Sequence, residues 1–330
     1  MLSRVADHIY WMNRYLERAE NYARFMDVNF NVSLDLQPDE ALRWKPLVVT
    51  TGDWPLFESL NKPITKSNVI YFLGFDPQNP NSVHNCIVNA RENARSIRPE
   101  ITTEVWEQIN YMYYYVKEGT EKKKWESKDP RKYFHDLKKG CQLFYGILDS
   151  TITKSEGWHF GEIGQLMERA DKTSRVLDVK YHMLLPDSAK VGSPFDLIQW
   201  SALLKSVSAY DMYRKRYGKL TPISICEFLI FDEYFPRSIT SCLIGVDRSV
   251  RACTNRGDAY RSKVEKQLGL LRAQLQYSDI HEVFESGLHE FLDTIQTKLN
   301  EVSVSLYDTY FSGKVQYQST NFSGMSQAQA

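Results

Sequence analysis

The five residues Leu16-Glu17-Arg18-Ala19-Glu20 return 151 positions later as Met167-Glu168-Arg169-Ala170-Asp171, and the same offset carries His8 onto His159, Arg24 onto Arg175 and Asp27 onto Asp178. An apolar ladder moves with them. Ile9, Met12, Leu16, Ala19, Ala23, Met26 and Phe30 fall on Phe160, Ile163, Met167, Ala170, Ser174, Leu177 and Tyr181. A second block repeats at an offset of 156, pairing Trp44 with Trp200, Leu47 with Leu203, Thr65 with Thr221, Phe72 with Phe228, Phe75-Asp76 with Phe231-Asp232, Pro80 with Pro236, Ser82 with Ser238, Cys86 with Cys242 and Arg95 with Arg251. The difference of five residues places an insertion in the Pro/Gly-rich stretch Leu185 to Pro194. Matching of this kind reads as a tandem duplication, which limits the chain to architectures in which one structural unit is built twice.

The spacing within the repeat is helical. Apolar residues from Val5 onward step alternately four and three apart, the seam of a long helix that packs on other helices, with no Pro or Gly between Met1 and Leu36. The stretches Ser82 to Ile97, Thr103 to Val116, Pro130 to Ile152, Glu162 to Leu185, Arg237 to Ala252 and Ile280 to Tyr310 also read at period 3.6, and no run of alternating strand residues stands out. Thr221-Pro222 is a helix N-cap with proline at the first helical position, and Thr65 supplies the equivalent cap. The expected fold is therefore all-α: a two-lobed helical bundle whose halves, residues 1–154 and 155–311, pack through their long first helices with a pseudo-two-fold relation. The junction Ser150 to Gly157 is short and largely helical in pattern, which favours one shared core over two beads. Residues 312–330 are polar, small and aperiodic, and read as a flexible tail.

Composition removes several classes of function. Forty-one Lys and Arg balance 41 Asp and Glu, so no bulk positive field holds the chain to nucleic acid or to an anionic membrane. Five widely spaced cysteines without a C-x-x-C pair argue against a disulfide framework or a thiolate zinc site and suit a reducing cytoplasm. No apolar run reaches the roughly 18–20 residues of a membrane helix, and the charged N-terminus is unlike a signal peptide. A length of 330 residues allows two or three structural units at about 100–200 residues each.

Chemistry is concentrated on two helical faces. On the first long helix Glu17, Glu20, Arg24 and Asp27 form one polar stripe, and Glu168, Asp171, Arg175 and Asp178 repeat it. Arg18 and Arg169 diverge by about 100° from the glutamates that precede them, so each requires a partner from another helix or from a ligand. The stripe admits three readings: a solvated face, an inter-helix ion-pair network and a ligand site. The second face carries Arg91, Arg95 and Arg98, with Glu92 among them, and can fork onto carboxylate or phosphate groups or pair with Glu92 and Glu104. Its repeat is degenerate, since Arg91 becomes Asp247 and Glu92 becomes Arg248. A di-iron site would want Glu-x-x-His, which neither stripe has, and His8 lies on the far side of its helix from Glu17, so no metal is assigned. Phosphate-loop, dinucleotide and nucleophile-elbow motifs are absent from the sequence, no cofactor is implied, and Cys86 and Cys242 read as small core residues.

The stretches SRVADHIYWMNRYLERAENYARFMDV, FDPQNPNSVHNCIVNARENARSIRPEITTEVWEQIN, WHFGEIGQLMERADKTSRVLDVKYHMLLP and FDEYFPRSITSCL together resemble the bacterial alpha-E domain family, all-helical proteins with a recurring Glu-Arg motif, over about Met1 to Phe311. The family's motif falls here on Glu17, Arg18, Glu168 and Arg169. The resemblance implies company with ATP-grasp ligases and transglutaminase-like proteins, and hence a role in peptide or amide-bond synthesis or tagging. Two functions follow as expectations: a helical partner that presents an acceptor or peptide to such a ligase, or an enzyme that uses the paired Glu-Arg stripes as acid, base and anion clamp.

Overall fold

The computed structural model describes residues 1–33, 40–127, 129–183, 194–254 and 262–312. All regular elements among them are helical, and none is a strand. The first half contains α1 (Ser3–Ser33), α2 (Glu40–Thr51), α3 (Trp54–Ser59), α4 (Lys66–Gly74), α5 (Val83–Ser96), α6 (Thr103–Glu121) and α7 (Arg131–Thr151). The second contains α8 (Glu156–Met183), α9 (Pro194–Ser206), α10 (Tyr210–Arg216), α11 (Pro222–Phe231), α12 (Ile239–Cys253), α13 (Lys263–Gln276), α14 (Ile280–Ser286) and α15 (Leu288–Leu306). No helix among the described residues is long and apolar enough to cross a membrane.

The apolar ladder explains the placement of the two long helices. Ile9 through Phe30 on α1 and Phe160, Ile163, Met167, Ala170, Ser174 and Leu177 on α8 are all buried, and α1 with α8 forms the most extensive helix–helix contact of the molecule. Tyr181 lies outside the residues whose side chains are described. Close approach is made possible by small residues: a Cβ on Gly164 would stand 2.3 Å from the carbonyl oxygen of Tyr10, and one on Gly161 would meet the Asn13 amide at 2.8 Å. The remaining contacts come in matching pairs. Helix α5 packs on α1 and α12 on α8; α7 packs on α1 and α15 on α8; α6 covers α5 and α7 as α13 covers α12 and α15. One pair crosses over, with α2 packing on α8 and α9 on α1.

Side-chain caps fix where the helices start. Thr65, Ser82, Thr221 and Ser238 accept hydrogen bonds from the backbone N–H groups of Asn68, Asn85, Ser224 and Ser241 respectively, satisfying donors that the first turn leaves free. Three expectations need correction. The run Ile280 to Tyr310 is two helices, because Gly287 at φ 108° ends α14 in a backbone conformation that a helix cannot contain, and the chain then closes in a π turn at Tyr307–Phe311. The junction is not helical throughout: Ile152 is extended, and residues 152–155 turn the chain from α7 into α8. Arg98 is not on the helix of Arg91 and Arg95, since α5 ends at Ser96 and Arg98 opens a 3-10 turn; Pro99, with no N–H to donate and a ring that clashes with the preceding turn, bars the α-helix from running on. Apart from Pro194 and Ser312, the expected insertion and tail lie outside the described residues.

Candidate functional site

Where α1 crosses α8, each Glu-Arg dipeptide is completed by the other. Arg18 donates from Nε to Glu168 Oε1 at 2.7 Å and from Nη2 to Glu168 Oε2 at 2.9 Å. Arg169 donates from Nε to Glu17 Oε1 and from Nη2 to Glu17 Oε2, both at 2.9 Å. These are two bidentate guanidinium–carboxylate forks, exchanged between the helices. The carboxylates are fully buried and the arginine side chains are 14% exposed. The polar stripe is therefore an inter-helix ion network, and the partner that Arg18 and Arg169 required comes from the neighbouring helix.

Around this exchange the network extends unequally. Glu168 also receives Arg14 from Nε at 3.1 Å, and the Lys172 ammonium stands 3.6 Å away. Glu17 receives Arg237 at 3.0 Å and Gln165 at 3.3 Å, while Arg237 continues to Glu20 at 2.8 Å. Arg24 pairs with Glu20 one turn away and donates to the Ser208 hydroxyl. Arg175 holds both oxygens of Asp171 through Nε at 3.0 Å. Beside them Asn81 accepts from Arg18 at 2.6 Å and donates to Asp53 at 2.7 Å, and Asp53 accepts from Tyr22 at 2.8 Å.

The electrostatics follow from burial opposed by these partners. Burial alone would raise the carboxyl of Glu17, but Arg169 and Arg237 outweigh it and hold the group at about 2. Glu168 is likewise pulled upward by burial and driven well below the usual carboxylate range by Arg18, Lys172 and Arg14. Arg24 moves the other way: burial and the neighbouring Arg237 lower it to about 9, still protonated at neutral pH. A carboxylate that stays ionised and is enclosed by cations is unsuited to moving protons near neutral pH.

Of the residues singled out in the sequence, Glu17, Arg18, Glu20, Arg24, Glu168, Arg169, Asp171 and Arg175 come together here. Arg91, Glu92, Arg95 and Arg98 do not join them. Arg91 donates to Asn110 at 2.7 Å and lies 4.5 Å from the centre of the Tyr113 ring and 5.6 Å from that of Trp106. Arg95 pairs with Glu92 at 2.5 Å, and Arg98 caps the Ile101 carbonyl. Among the described residues the partners of this face are Asn110 and Glu92, and the expected Glu104 is not one of them. Arg14, Asn81, Lys172 and Arg237 are network members that the sequence reading passed over. A signal for them exists in the repeat, because the offsets set Arg14 against Gln165, Asn21 against Lys172 and Asn81 against Arg237, polar residues at matching positions with unlike charge.

Among the described residues no group of three His, Cys, Asp or Glu is placed to hold a metal ion. Burial pushes the thiols of Cys86, Cys242 and Cys253 up to about 12 and raises those of Cys141 and Cys226 as well.

The chain is similar, at 21% identity over 333 residues, to uncharacterised proteins of Mycobacterium bovis and Mycobacterium tuberculosis; the match covers 91% of this chain and 36% of each relative. It thus spans about a third of the length of those relatives. No solved structure matches. The Glu-Arg dipeptides of the sequence are Glu17-Arg18 and Glu168-Arg169; residues 1–311 match the Alpha-E family, described as a predicted alpha-helical domain with a conserved ER motif, and the chain belongs to that family.

Proposed function

We propose that the chain is a non-catalytic helical partner that presents an acceptor or peptide to an ATP-grasp-type peptide or amide ligase, in a system that includes a transglutaminase-like protein. The observation that carries this reading is the reciprocal exchange itself. Both glutamates and both arginines of the motif are consumed in holding α1 to α8, which leaves the motif a structural clasp rather than an acid, base and anion clamp. The high thiols of the buried cysteines supply no nucleophile. In the mycobacterial relatives the matched region is about a third of a longer chain, which fits a unit that works joined to other sequence.

The contact surface in this reading is the outer face of α5 and α6. Tyr111 and Tyr114 are about three-fifths exposed there, next to Arg91, Trp106 and Tyr113, the residue types that anchor interfaces. The matched contact pairs and the crossing of α2 and α9 support tandem duplication of one unit, residues 1–154 and 155–311, about a pseudo-two-fold axis. The five free cysteines suit the cytoplasm.

The test is ATP turnover and amide formation by the purified chain alone, by an ATP-grasp ligase encoded beside it, and by both. The chain alone is expected to be inert and to accelerate the ligase, and the Arg91→Gln/Arg95→Gln double variant to weaken capture of the ligase while circular dichroism stays unchanged. Turnover by the chain alone that disappears in Glu17→Gln would assign it as an enzyme instead.

A further inference from the structure

The ion network carries more cations than carboxylates. Arg14, Arg18, Arg24, Arg169, Lys172, Arg175 and Arg237 share Glu17, Glu20, Glu168 and Asp171, and counting the further buried carboxylate of this region, Asp53, which accepts from the neutral donors Tyr22 and Asn81, seven cations still stand against five carboxylates. Uncompensated cations in a low-dielectric setting attract an anion. Their hydrogen bonds show where one would bind. Arg14, Arg18 and Arg169 each donate from three guanidinium nitrogens, and Arg24 and Arg237 donate from both terminal nitrogens. Arg175 differs, because both of its hydrogen bonds leave from Nε to Asp171, and Nη1 and Nη2 have no acceptor among the described residues. It is also the most exposed cation of the network, at 27%.

The repeat shows what those two nitrogens lack. Arg24 occupies the position equivalent to Arg175, and its Nη1 is met by the hydroxyl of Ser208, a residue held at φ 54°. The position equivalent to Ser208 is Gly52, at φ 84°, and it offers Arg175 no side chain. A Cβ built on Gly52 would have only the Arg175 guanidinium within 4 Å, with Nη1 at 3.1 Å. In one half the fork is closed by a hydroxyl; in the other Nη1 lies against the bare backbone of Gly52, and no side-chain acceptor among the described residues meets the fork.

We propose that Arg175, beside the bare backbone of Gly52, is the recognition point for an oxyanion, a carboxylate or phosphate group carried by a ligand. The fork of Nη1 and Nη2 matches two oxygens of either group, Asp171 fixes the guanidinium plane from the Nε side, and the ammonium of Lys172, 3.1 Å from Asp171, adds to the local positive potential. This inference does not depend on a ligase partner, and its test uses the full chain alone.

Calorimetric titration with sodium phosphate and, separately, with sodium glutarate is compared with sodium chloride at equal ionic strength. At least one of the two oxyanions is expected to bind saturably above chloride; phosphate alone identifies a phosphate-bearing ligand and glutarate alone a carboxylate-bearing one. Arg175→Gln should weaken that binding about tenfold or more, while Arg248→Gln, at a surface arginine of α12 paired with Glu162, should leave it unchanged. Gly52→Ser retains Arg175 and puts a hydroxyl where Ser208, also at positive φ, has one; at φ 84° the serine is strained and its Cβ presses on the guanidinium, so circular dichroism checks its fold, and the folded variant reads the same site if Arg175→Gln does not fold and should weaken binding too. No binding above chloride in the parent, or parental binding in a folded Arg175→Gln or Gly52→Ser, overturns the assignment.

Discussion

A carboxylate taken out of water is tolerated when charged donors replace the water it loses, and removing one partner of such a set costs more than the set contributes as a whole. Glu168 is shared by Arg14, Arg18 and Lys172, so Glu168→Gln strands both arginines at once and leaves Lys172 with Asp171 alone, whereas Arg18→Ala leaves the carboxylate with two of its partners. Urea denaturation should therefore show Glu168→Gln less stable than the parent by about 3–5 kcal/mol, the range for breaking a buried pair, and Arg18→Ala less stable by a smaller margin. A parental midpoint for both variants would mean that the clasp contributes nothing. The same geometry sets an acid limit. Glu17 titrates near 2 when folded and near 4.5 when free, so between those values the unfolded chain binds the extra proton. Its contribution is complete above about pH 4.5 and is lost as the pH falls towards 2; Glu168 and Asp171 shift in the same direction. Urea midpoints measured down from pH 6 should fall through this window, and less steeply in Glu17→Gln.

Between elements, the decisive contact is the approach of α8 to α1. Gly164 lies where the two backbones nearly touch, and an added methyl group would collide with the Tyr10 carbonyl, a group that cannot rotate away. Gly164→Ala should destabilise by about 1–3 kcal/mol or more, as overpacking does. Gly269→Ala on α13, where a Cβ meets nothing within 4 Å, should instead stabilise by up to about 1 kcal/mol through helix propensity. Equal effects of the two substitutions would remove the close approach from the account. Elements of this kind were largely readable in the sequence where their determinants are local. Thr65, Ser82, Thr221 and Ser238 announce helix starts because a cap acts within three residues of itself. The break at Gly287 was hidden because apolar spacing continues on both sides of it, and a single glycine inside a helical pattern does not reveal its own φ.

At the scale of the whole molecule the limit of the sequence is partner choice. The divergence of Arg18 from Glu17 shows that a second helix or a ligand must answer it, but that the answer is Glu168, with Arg169 returning to Glu17, depends on a contact about 150 residues away in the chain and on the crossing angle of two helices. The same crossing binds the halves together. Because α2 packs on α8 and α9 packs on α1, neither half can unfold without exposing the apolar face of a helix that belongs to the other. The buried residues also form one core that runs through both. Two beads joined by a linker would melt as two units, whereas exchanged helices and a shared clasp couple them. Scanning calorimetry should accordingly show one transition, with the calorimetric enthalpy equal to the van't Hoff enthalpy, provided that heating is reversible. Arg18→Ala should lower that transition as a whole rather than split it, since Glu168 lies in one half and Arg18 in the other. Two resolved transitions in the parent would separate the halves energetically and leave the clasp as a local contact between independent units.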